Sequence, residues 1–259
     1  MIKENLQEIS TYRDVTSLVA SRKEDWEAYW QKKFKPRALE HIVYEEIFLQ
    51  YLHHDSSKTC IEIGCIPGDF LIFMHKNFGY RIAGIDFNGR ADLLWQNMRF
   101  NGINECQYYE ADFTTWKTDQ RFDIVCSFGF IEHFKDSEAI ISKHISLLSD
   151  EGMLILGCPN FRFGQFVFHK IFDEDNIKKH NLKIMDLGKI KSIIEAQGLS
   201  VIYLGYYGTV QFWVEDLEQK GLIKRWIAKT LIRITNSINI RINLPTHYFS
   251  PYILCIAQR

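Results

Sequence analysis

The stretch TCIEIGCIPGDFLIFM, residues 59–74, carries the strongest indication of the fold in this sequence. It begins as an apolar strand-like run that contains Glu62, continues through a short turn bounded by Gly64 and Gly68, and ends in a helix-like segment. A strand, a tight turn and a helix in this order direct backbone N–H groups and the positive end of the helix at a ligand. The stretch therefore predicts a binding turn, although an isoleucine and a proline stand between its two glycines.

Short apolar runs recur along the rest of the chain, and helix-like segments separate most of them. Runs that are apolar throughout suit strands buried on both faces, and their alternation with helices predicts an α/β fold with a largely parallel sheet. Ligands bind such sheets beyond the carboxyl ends of the strands. The further runs are YRIAGID (80–86), ECQYYEA (105–111), FDIVCSFG (122–129), GMLILGC (152–158), LSVIYLGYYG (199–208) and YILCIAQ (252–258), and the predicted helices cover about 70–78, 89–100, 137–148 and 185–197.

The domain organisation follows from the same pattern. We expect residues 1–54 to form a helical extension, because apolar side chains recur there at spacings of three and four residues. Residues 55–259 are expected to form one domain, with insertions at about 160–185 and 214–247. The first insertion is rich in phenylalanine and can act as a lid over an acceptor. A helix with a buried aromatic stripe is the alternative interpretation.

Composition excludes several classes of function. The 259 residues include 31 basic and 32 acidic side chains, and a net charge of −1 gives no overall field that would attract nucleic acid. The six cysteines form no CxxC pair, which is typical of reduced thiols in a cytoplasmic protein. We expect a soluble protein, because no run approaches the roughly 18 apolar residues of a membrane span. No metal site is predicted, since Asp112 and Asp123 lack a third oxygen ligand.

Acidic residues follow the next two predicted strands at positions that suit a nucleoside. Asp86 ends the second strand, where a carboxylate can accept hydrogen bonds from both hydroxyls of a ribose. Asp112 follows the third strand and can accept a hydrogen bond from an adenine amino group, while Phe113 covers the face of the ring. The spacing therefore predicts a nucleoside cofactor.

The order of these motifs resembles that of the class I S-adenosylmethionine-dependent methyltransferases of the small-molecule type. The resemblance covers roughly Thr59 to Gly198 and the run at 252–258, and it includes FDIVCSFGFIEHF (122–134) and LLSDEGMLILGCPN (147–160). It implies a Rossmann-like seven-stranded sheet, mostly parallel, with helices on both faces and an antiparallel last strand. It also implies S-adenosylmethionine as the cofactor, bound along these residues: Glu62, Gly64, Gly68, Asp86, Asp112 and Phe113.

The first turn departs from the usual family pattern E-x-G-x-G-x-G, because its middle glycine is Ile66, which precedes Pro67. A residue before proline is biased towards extended conformations, and proline donates no N–H. One interpretation is that the loop no longer holds a cofactor, which would leave a non-catalytic binding protein. The other is a rigid loop that still functions, which we expect because Glu62, Asp86 and Asp112 remain in register. A nicotinamide-binding turn is disfavoured, since the spacing GxGxxG is not met.

Two histidines are candidates for the base that removes a proton from an acceptor hydroxyl. His133 follows the fourth predicted strand in FIEHF, where similar small-molecule methyltransferases carry a histidine or an acid, and His180 lies late in the first insertion. His133 can equally cap the next helix or bond a carbonyl, and Glu132 has an equally good structural interpretation. We expect O-methylation of a small molecule. N-methylation of a small amine, which needs little base, stays open.

The segment LIKRWIAKTLIRITNSINIR, residues 222–241, contains five basic residues and no acid. A basic amphipathic helix over 222–234 can lie on an anionic membrane or guide a lipid-linked substrate. Packing of its apolar side on the domain is the alternative. Strict alternation from Ile238 to Leu244 favours a short strand or hairpin, which predicts that the helix ends early.

Overall fold

One sheet of seven strands organises the computed structural model of the protein, which describes residues 23–242 and 244–259. The strands are β1 (Thr59–Ile63), β2 (Arg81–Asp86), β3 (Gln107–Glu110), β4 (Phe122–Phe128), β5 (Leu148–Pro159), β6 (Ser200–Tyr207) and β7 (Tyr252–Gln258). Their order across the sheet is β3-β2-β1-β4-β5-β7-β6. Every predicted apolar run contains a strand, so the predicted α/β fold is confirmed.

The last strand, β7, runs against the others. It pairs antiparallel with both β5 and β6, whereas the pairs β1/β2, β1/β4, β2/β3 and β4/β5 are parallel. The predicted antiparallel last strand is therefore confirmed. The order of strands reverses between β1 and β4, and in open α/β sheets the crevice at such a point is the usual place for a ligand.

Both faces of the sheet are buried, which explains why the runs are apolar throughout. In β1, Ile61 and Ile63 belong to the core on one face, while Cys60 packs into the core on the other face. Successive residues of a strand point to opposite faces. A strand covered on both sides therefore needs apolar residues at every position, and not at alternate ones.

Helices connect the strands and cover the sheet. Within the described residues they are α1 (Lys23–Lys33), α2 (Glu45–Tyr51), α3 (Asp69–Phe78), α4 (Ala91–Phe100), α5 (Ser137–Ser146), α6 (Phe163–Phe172), α7 (Glu174–Lys178), α8 (Leu187–Ala196) and α9 (Leu222–Arg241). The four helices predicted between strands correspond to α3, α4, α5 and α8. Carboxylates cap two of them, because Asp136 accepts the N–H of Ala139 and Asp186 accepts that of Lys189.

The two helices that precede the sheet lie in different places. α2 packs on a face of the sheet, where Phe48 is fully buried and the hydroxyl of Tyr44 donates to the carbonyl of Ile253 over 3.2 Å. α1 instead places Trp26 against His133, beyond the carboxyl end of β4, with ring centroids 5.0 Å apart. Residues 1–22 of the predicted helical extension lie outside the described residues.

The prediction that the basic segment leaves the helical conformation early is wrong. α9 continues to Arg241, and the N–H of Ile242 donates to the carbonyl of Ile238 over 2.9 Å. Ala228 and Thr235, two helical turns apart, are both buried, so a single helical face is anchored along most of the segment. Once a helix is anchored, adding one more residue to its end costs little free energy. A short stretch of alternating side chains is therefore not enough to end the helix. No helix within 23–242 and 244–259 combines the length and the apolarity that crossing a membrane requires.

Candidate active site

A first cavity of about 380 Å³ lies beyond the carboxyl ends of β1, β2, β3 and β4. Its wall consists of the turns that follow these strands and of two side chains from α1, Trp26 and Trp30. Four of the six residues predicted to bind the cofactor contribute to this wall, namely Gly64, Asp86, Asp112 and Phe113. The structure thus brings together residues that are up to 49 positions apart in the sequence, from Gly64 to Phe113.

Gly64 occupies a position that a larger residue would disturb. Its φ angle of +74° lies in the left-handed region, and a Cβ atom there would come within 2.7 Å of the ring of Phe130. Its N–H donates to the carbonyl of Ile85 over 2.8 Å, which ties the turn to the end of β2. Glycine is therefore required both by the backbone conformation and by the close contact.

Asp86 links the first two turns. One carboxylate oxygen accepts the N–H of Ile66 and the other accepts the N–H of Asn88, each over 3.1 Å. Burial raises the pKa of Asp86 to about 6, and the bonds from backbone N–H groups oppose this shift. The N–H of Phe87 also favours the ionised carboxylate, and because a carboxylate has about four lone-pair sites, acceptor capacity remains for a ligand in the cavity.

Asp112 and Phe113 form the turn after β3. Asp112 is exposed, and its Oδ1 accepts both the N–H and the hydroxyl of Thr114 over 2.8 Å. Phe113 is buried and packs edge-on against Phe130, with ring centroids 5.9 Å apart. The pair therefore presents an acceptor and a fixed aromatic wall next to each other.

Glu62 and Gly68 do not belong to the wall of the first cavity. Glu62 is buried below the turn, where desolvation raises its pKa well above the usual value, and its Oε2 has no hydrogen-bond partner. Gly68 has a φ angle of +94°, and a Cβ atom there would lie 2.5 Å from Leu94 of α4. Its glycine character is explained by helix packing and backbone conformation.

The departure at Ile66 and Pro67 leaves the first cavity open. Ile66 is buried and contributes to the cavity wall, and the peptide bond between the two residues is cis. The carbonyl of Pro67 accepts a hydrogen bond from the side-chain amide of Asn97 over 3.1 Å. The loop is therefore held from α4, and the isoleucine side chain does not fill the space in front of it.

A second cavity of about 410 Å³ adjoins the first. The two cavities share four residues, Trp26, Trp30, Gly129 and His133, which we call the shared wall. The predicted lid insertion contributes Phe161, Asn176, Lys179 and His180 to the second cavity. Further aromatic side chains come from elsewhere in the chain: Tyr29, Trp213 and Tyr252.

Two interpretations of the insertion were open, a lid over an acceptor and a helix with a buried aromatic stripe, and its aromatic residues support both. Phe161 is buried and lines the second cavity, as a lid residue would. Phe168 is buried and stacks on Phe212 with ring centroids 4.1 Å apart, as a core residue would. Phe163 and Phe166 are exposed. The segment therefore supplies both a cavity wall and a packed helix.

The two candidate bases, His133 and His180, lie side by side with ring centroids 4.6 Å apart. The Nδ1 of His133 lies 3.3 Å from the carbonyl of Lys179, and the Nδ1 of His180 lies 2.6 Å from that of Asn176. Each Nδ1–H donates to its carbonyl, which leaves Nε2 as an acceptor. Burial lowers the pKa of both imidazoles. The pKa of His133 falls to about 3, because the neighbouring His180 adds to the effect of burial. Both rings are neutral near pH 7 and accept hydrogen bonds.

Glu132 belongs to the same cluster. Its side chain is almost fully buried and lines the second cavity, and neither carboxylate oxygen has a hydrogen-bond partner. Its Oε1 lies 3.9 Å from the Nε2 of His133, and burial raises the pKa of Glu132 to about 8. The sequence left its role open between structure and function. The position at the cavity favours function.

Sequence reasoning missed the contribution of α1 to the site. The sequence predicts a helical extension over residues 1–54 and gives it no part in the site, yet Trp26 and Trp30 both belong to the shared wall. Their spacing of four residues places them on one helical face, which is the only signal in the sequence. Trp213 and Glu215, which also line the second cavity, lie in a segment without any motif.

Comparisons with known proteins agree on one class. A family model described as a methyltransferase domain matches residues 30–204, more than half of the chain. The trans-aconitate 2-methyltransferase of Escherichia coli O139:H28 (strain E24377A / ETEC) is 25% identical over 107 residues, 41% of this chain and 41% of that protein. The chain thus matches less than half the length of this curated relative.

Solved structures share the fold. A SAM dependent methyltransferase from Archaeoglobus fulgidus superimposes with a TM-score of 0.53 at 16% identity, over 92% of this chain and 95% of that chain. Coclaurine N-methyltransferase bound to N-methylheliamine and SAH gives a TM-score of 0.52 at 12% identity, over 83% of this chain and 71% of that chain. Similarity at these identities concerns the fold alone.

Proposed function

The chain belongs to the family of methyltransferase domains, and we propose that it transfers the methyl group of S-adenosylmethionine to a hydroxyl group of a small molecule. The observation that carries the proposal is the junction of two cavities at the shared wall. A methyl donor in the first cavity and an acceptor in the second would meet there. Methyl transfer is an in-line displacement, so holding the two reactants in this relation is the main task of the protein.

In the proposed complex, the nucleoside of the cofactor lies in the first cavity. Asp86 accepts hydrogen bonds from the ribose hydroxyls with the lone pairs that its bonds to backbone N–H groups leave free. Asp112 and Phe113 receive the adenine, and Gly64 allows close approach of the backbone. Glu62 and Gly68 lie outside the cavity wall, and they contribute to the turn through burial and helix packing and not through contacts with the cofactor.

The proposed acceptor lies in the second cavity, whose volume of about 410 Å³ suits a small molecule. His133 faces both cavities and can orient the hydroxyl through its Nε2, and His180 stands beside it. The aromatic side chains around them favour an acceptor with an apolar or aromatic body. The O-methylation thus proposed uses both candidate histidines.

An amine acceptor is the second candidate. Glu132 presents two unpaired carboxyl oxygens to a cavity with aromatic walls. Its raised pKa keeps this group largely protonated near pH 7, but an ammonium group beside it would stabilise the ionised form, and ring faces attract the same cation. An amine must be neutral to attack a methyl group, but it needs little further help from a base. The two candidates therefore differ in how strongly turnover depends on His133.

Isothermal titration with S-adenosylmethionine and S-adenosylhomocysteine tests the cofactor part of the proposal. We expect dissociation constants on the order of micromolar for both ligands. Asp86→Ala should weaken binding about 10- to 100-fold, because a charge-assisted hydrogen bond contributes about 1.5–3 kcal/mol. Asp119→Ala is the matched control, since Asp119 is exposed and lies outside the first cavity. Absence of binding in a folded protein would favour the non-catalytic alternative.

The proposal also includes a peripheral contact with anionic lipid through residues 222–234 and a cytoplasmic location. At the start of α9, Leu222, Ile223 and Trp226 are 70–77% exposed, and they lie among basic side chains. This arrangement suits a helix that rests on a lipid surface. Five of the six cysteines are buried as free thiols, which is compatible with a reducing compartment.

A further inference from the structure

We propose that Glu132, His133 and His180 together bind a divalent metal ion on the wall of the second cavity. The inference deepens the proposed function, on which it rests only for the role of the ion in methyl transfer. The binding itself requires nothing but these three side chains. It differs from the expectation drawn from the sequence, which predicted no metal site.

The three side chains converge. One potential ligand atom from each lies within 4.8 Å of the other two, and the pair formed by Glu132 Oε1 and His133 Nε2 is 3.9 Å apart. Atoms bonded to one ion at about 2.0–2.2 Å lie about 3–4 Å from each other. Small rotations of the side chains would therefore bring all three onto a single ion.

The imidazoles are oriented as metal ligands usually are. A histidine that binds a metal with one nitrogen almost always donates its other N–H to a carboxylate, a carbonyl or water. His133 donates its Nδ1–H to the carbonyl of Lys179, and His180 donates its Nδ1–H to that of Asn176. Both rings are thereby fixed, and their Nε2 lone pairs remain available.

The carboxylate of Glu132 is the independent second observation. The side chain is 1% exposed, and neither oxygen has a hydrogen-bond partner. A buried carboxylate without partners is costly, and a cation beside it removes this cost. Lys179, a basic residue on the same cavity wall, forms its ion pair with Glu215 over 3.2 Å instead.

The set of donors indicates which metals fit. Two imidazole nitrogens and one carboxylate suit Mn²⁺, Fe²⁺, Co²⁺ or Zn²⁺ better than Ca²⁺ or Mg²⁺, which prefer oxygen ligands. Three protein ligands leave coordination positions open towards the cavity. The acceptor class that this site favours has an oxygen able to bind the ion, such as one of two neighbouring hydroxyls.

The ion would act on the acceptor oxygen. A hydroxyl bound to a divalent cation loses its proton more easily, and here the proton would pass to solvent water. An electron pair of the resulting oxyanion then forms the bond to the methyl carbon, while the bond from that carbon to sulfur breaks and leaves the neutral thioether. In this form of the reaction the two imidazoles hold the ion and not the proton.

Titration of chelator-treated protein with Mn²⁺, Co²⁺ and Zn²⁺ tests the inference. We expect saturable binding of one ion per chain for at least one of these metals. Glu132→Gln and His180→Ala should each weaken it at least tenfold. His41→Ala is the matched control, because His41 and Glu45 form an exposed histidine–carboxylate pair at 2.9 Å. Thermal melts show that each variant is folded, and the visible spectrum of Co²⁺ in the unaltered protein reports nitrogen ligation without any substitution.

Two results would overturn the inference. One is that none of the three metals binds saturably to the folded, unaltered protein. The other is that binding survives both Glu132→Gln and His180→Ala, which would place the ion elsewhere on the protein, and its loss in His41→Ala would locate it on the surface. Titration of metal-free protein with S-adenosylmethionine is a separate measurement. If it shows no binding while the metal still binds, the proposed function fails and the metal site stands.

Discussion

The indole of Trp26 packs edge-on against the imidazole of His133, with ring centroids 5.0 Å apart and planes at 87°. Trp26 lies in the helix that precedes the sheet, and His133 lies beyond the fourth strand. The contact joins these distant segments at the shared wall between the two cavities. A helix that resembles an appendage in the sequence is therefore part of the site.

Trp26→Ala should weaken the binding of S-adenosylmethionine about 5- to 10-fold and raise the KM for the acceptor. The indole lines both cavities and packs against the imidazole of His133. Its removal would let water into the cavities and leave the His133 ring without this contact. Titration and steady-state kinetics measure the two effects. Trp226→Ala is the control, since Trp226 is 70% exposed on α9. Equal effects of both substitutions would contradict the assignment.

The affinity for S-adenosylmethionine should depend on pH through Asp86. Its pKa is raised to about 6, and only the ionised carboxylate is a strong acceptor for ribose hydroxyls. Affinity should therefore rise about tenfold from pH 5 to pH 7 and then level off. Lys23 and Glu62 are the charged neighbours, and Lys23 favours the ionised form. Asp86→Asn should bind weakly at every pH, and a profile unchanged in this variant would contradict the prediction.

Gly64→Ala should lower both stability and cofactor affinity. The left-handed backbone costs a residue with a side chain about 1–2 kcal/mol, and the new Cβ would also meet Phe130 at 2.7 Å. Gly102→Ala isolates the first effect, because Gly102 has a φ of +77° and nothing within 4 Å of its Cβ position. Thermal melts of both variants are compared, and the difference between their melting temperatures reports the contact of the new Cβ with Phe130. We expect Gly64→Ala to be the less stable one, and equal melting temperatures would show that Phe130 moves freely.

The sequence predicted the sheet well because its strands are buried on both faces, and burial leaves continuous apolar runs such as the one at 59–63. Asp86 and Asp112, which the sequence predicts as cofactor ligands, line one cavity, since the ends of parallel strands meet at one edge of the sheet; that they bind the cofactor stays a prediction. Gly68 shows the limit of motif reasoning. Its glycine is demanded by Leu94, a contact made across two helices that spacing in the sequence does not reveal.

Other features depended on tertiary contacts. The convergence of Glu132 and His180 arises because the insertion folds back over the fourth strand, where the N–H of Asn181 donates to the carbonyl of Glu132 over 2.6 Å. No local sequence pattern can reveal a contact between residues that are nearly 50 positions apart in the chain. The end of α9 was mispredicted for a related reason, since buried contacts at Ala228 and Thr235 outweigh a short alternating pattern.

His133→Ala should reduce kcat for a hydroxyl acceptor at least 100-fold, because the hydroxyl loses either the imidazole that orients it directly or, with the proposed ion bound, a ligand of the ion that activates it. The affinity for S-adenosylmethionine should change by less than about threefold, since His133 lies where the sulfonium end is proposed to lie and not beside the nucleoside. Mass spectrometry of methylated products from hydroxyl and amine panels measures turnover. His41→Ala serves as the control on the surface. Turnover of an amine that survives His133→Ala would favour the N-methyltransferase candidate.

The intact protein should sediment with vesicles that contain phosphatidylserine and not with vesicles of phosphatidylcholine alone. Leu222, Ile223 and Trp226 are free to enter the lipid surface, and burial of one such side chain contributes about 1.5–3 kcal/mol. Lys224 and its basic neighbours on α9 add an attraction that salt should screen.

The double substitution Ile223→Ala and Trp226→Ala should reduce the bound fraction strongly, while Phe100→Ala should not, although Phe100 is 60% exposed on α4. The comparison is informative because both sites expose large apolar side chains, whereas α9 carries several basic residues near them, of which Arg225 and Lys229 pair with Glu218, and the helix at Phe100 has Arg99 in its last turn. Equal losses in the two variants would mean that any exposed apolar residue adsorbs to vesicles. If only the α9 variant loses vesicle binding, α9 rests on the lipid. The insertion that lines the second cavity would then lie close to the lipid surface, because Lys224 of α9 donates to the carbonyl of Ile171 in that insertion.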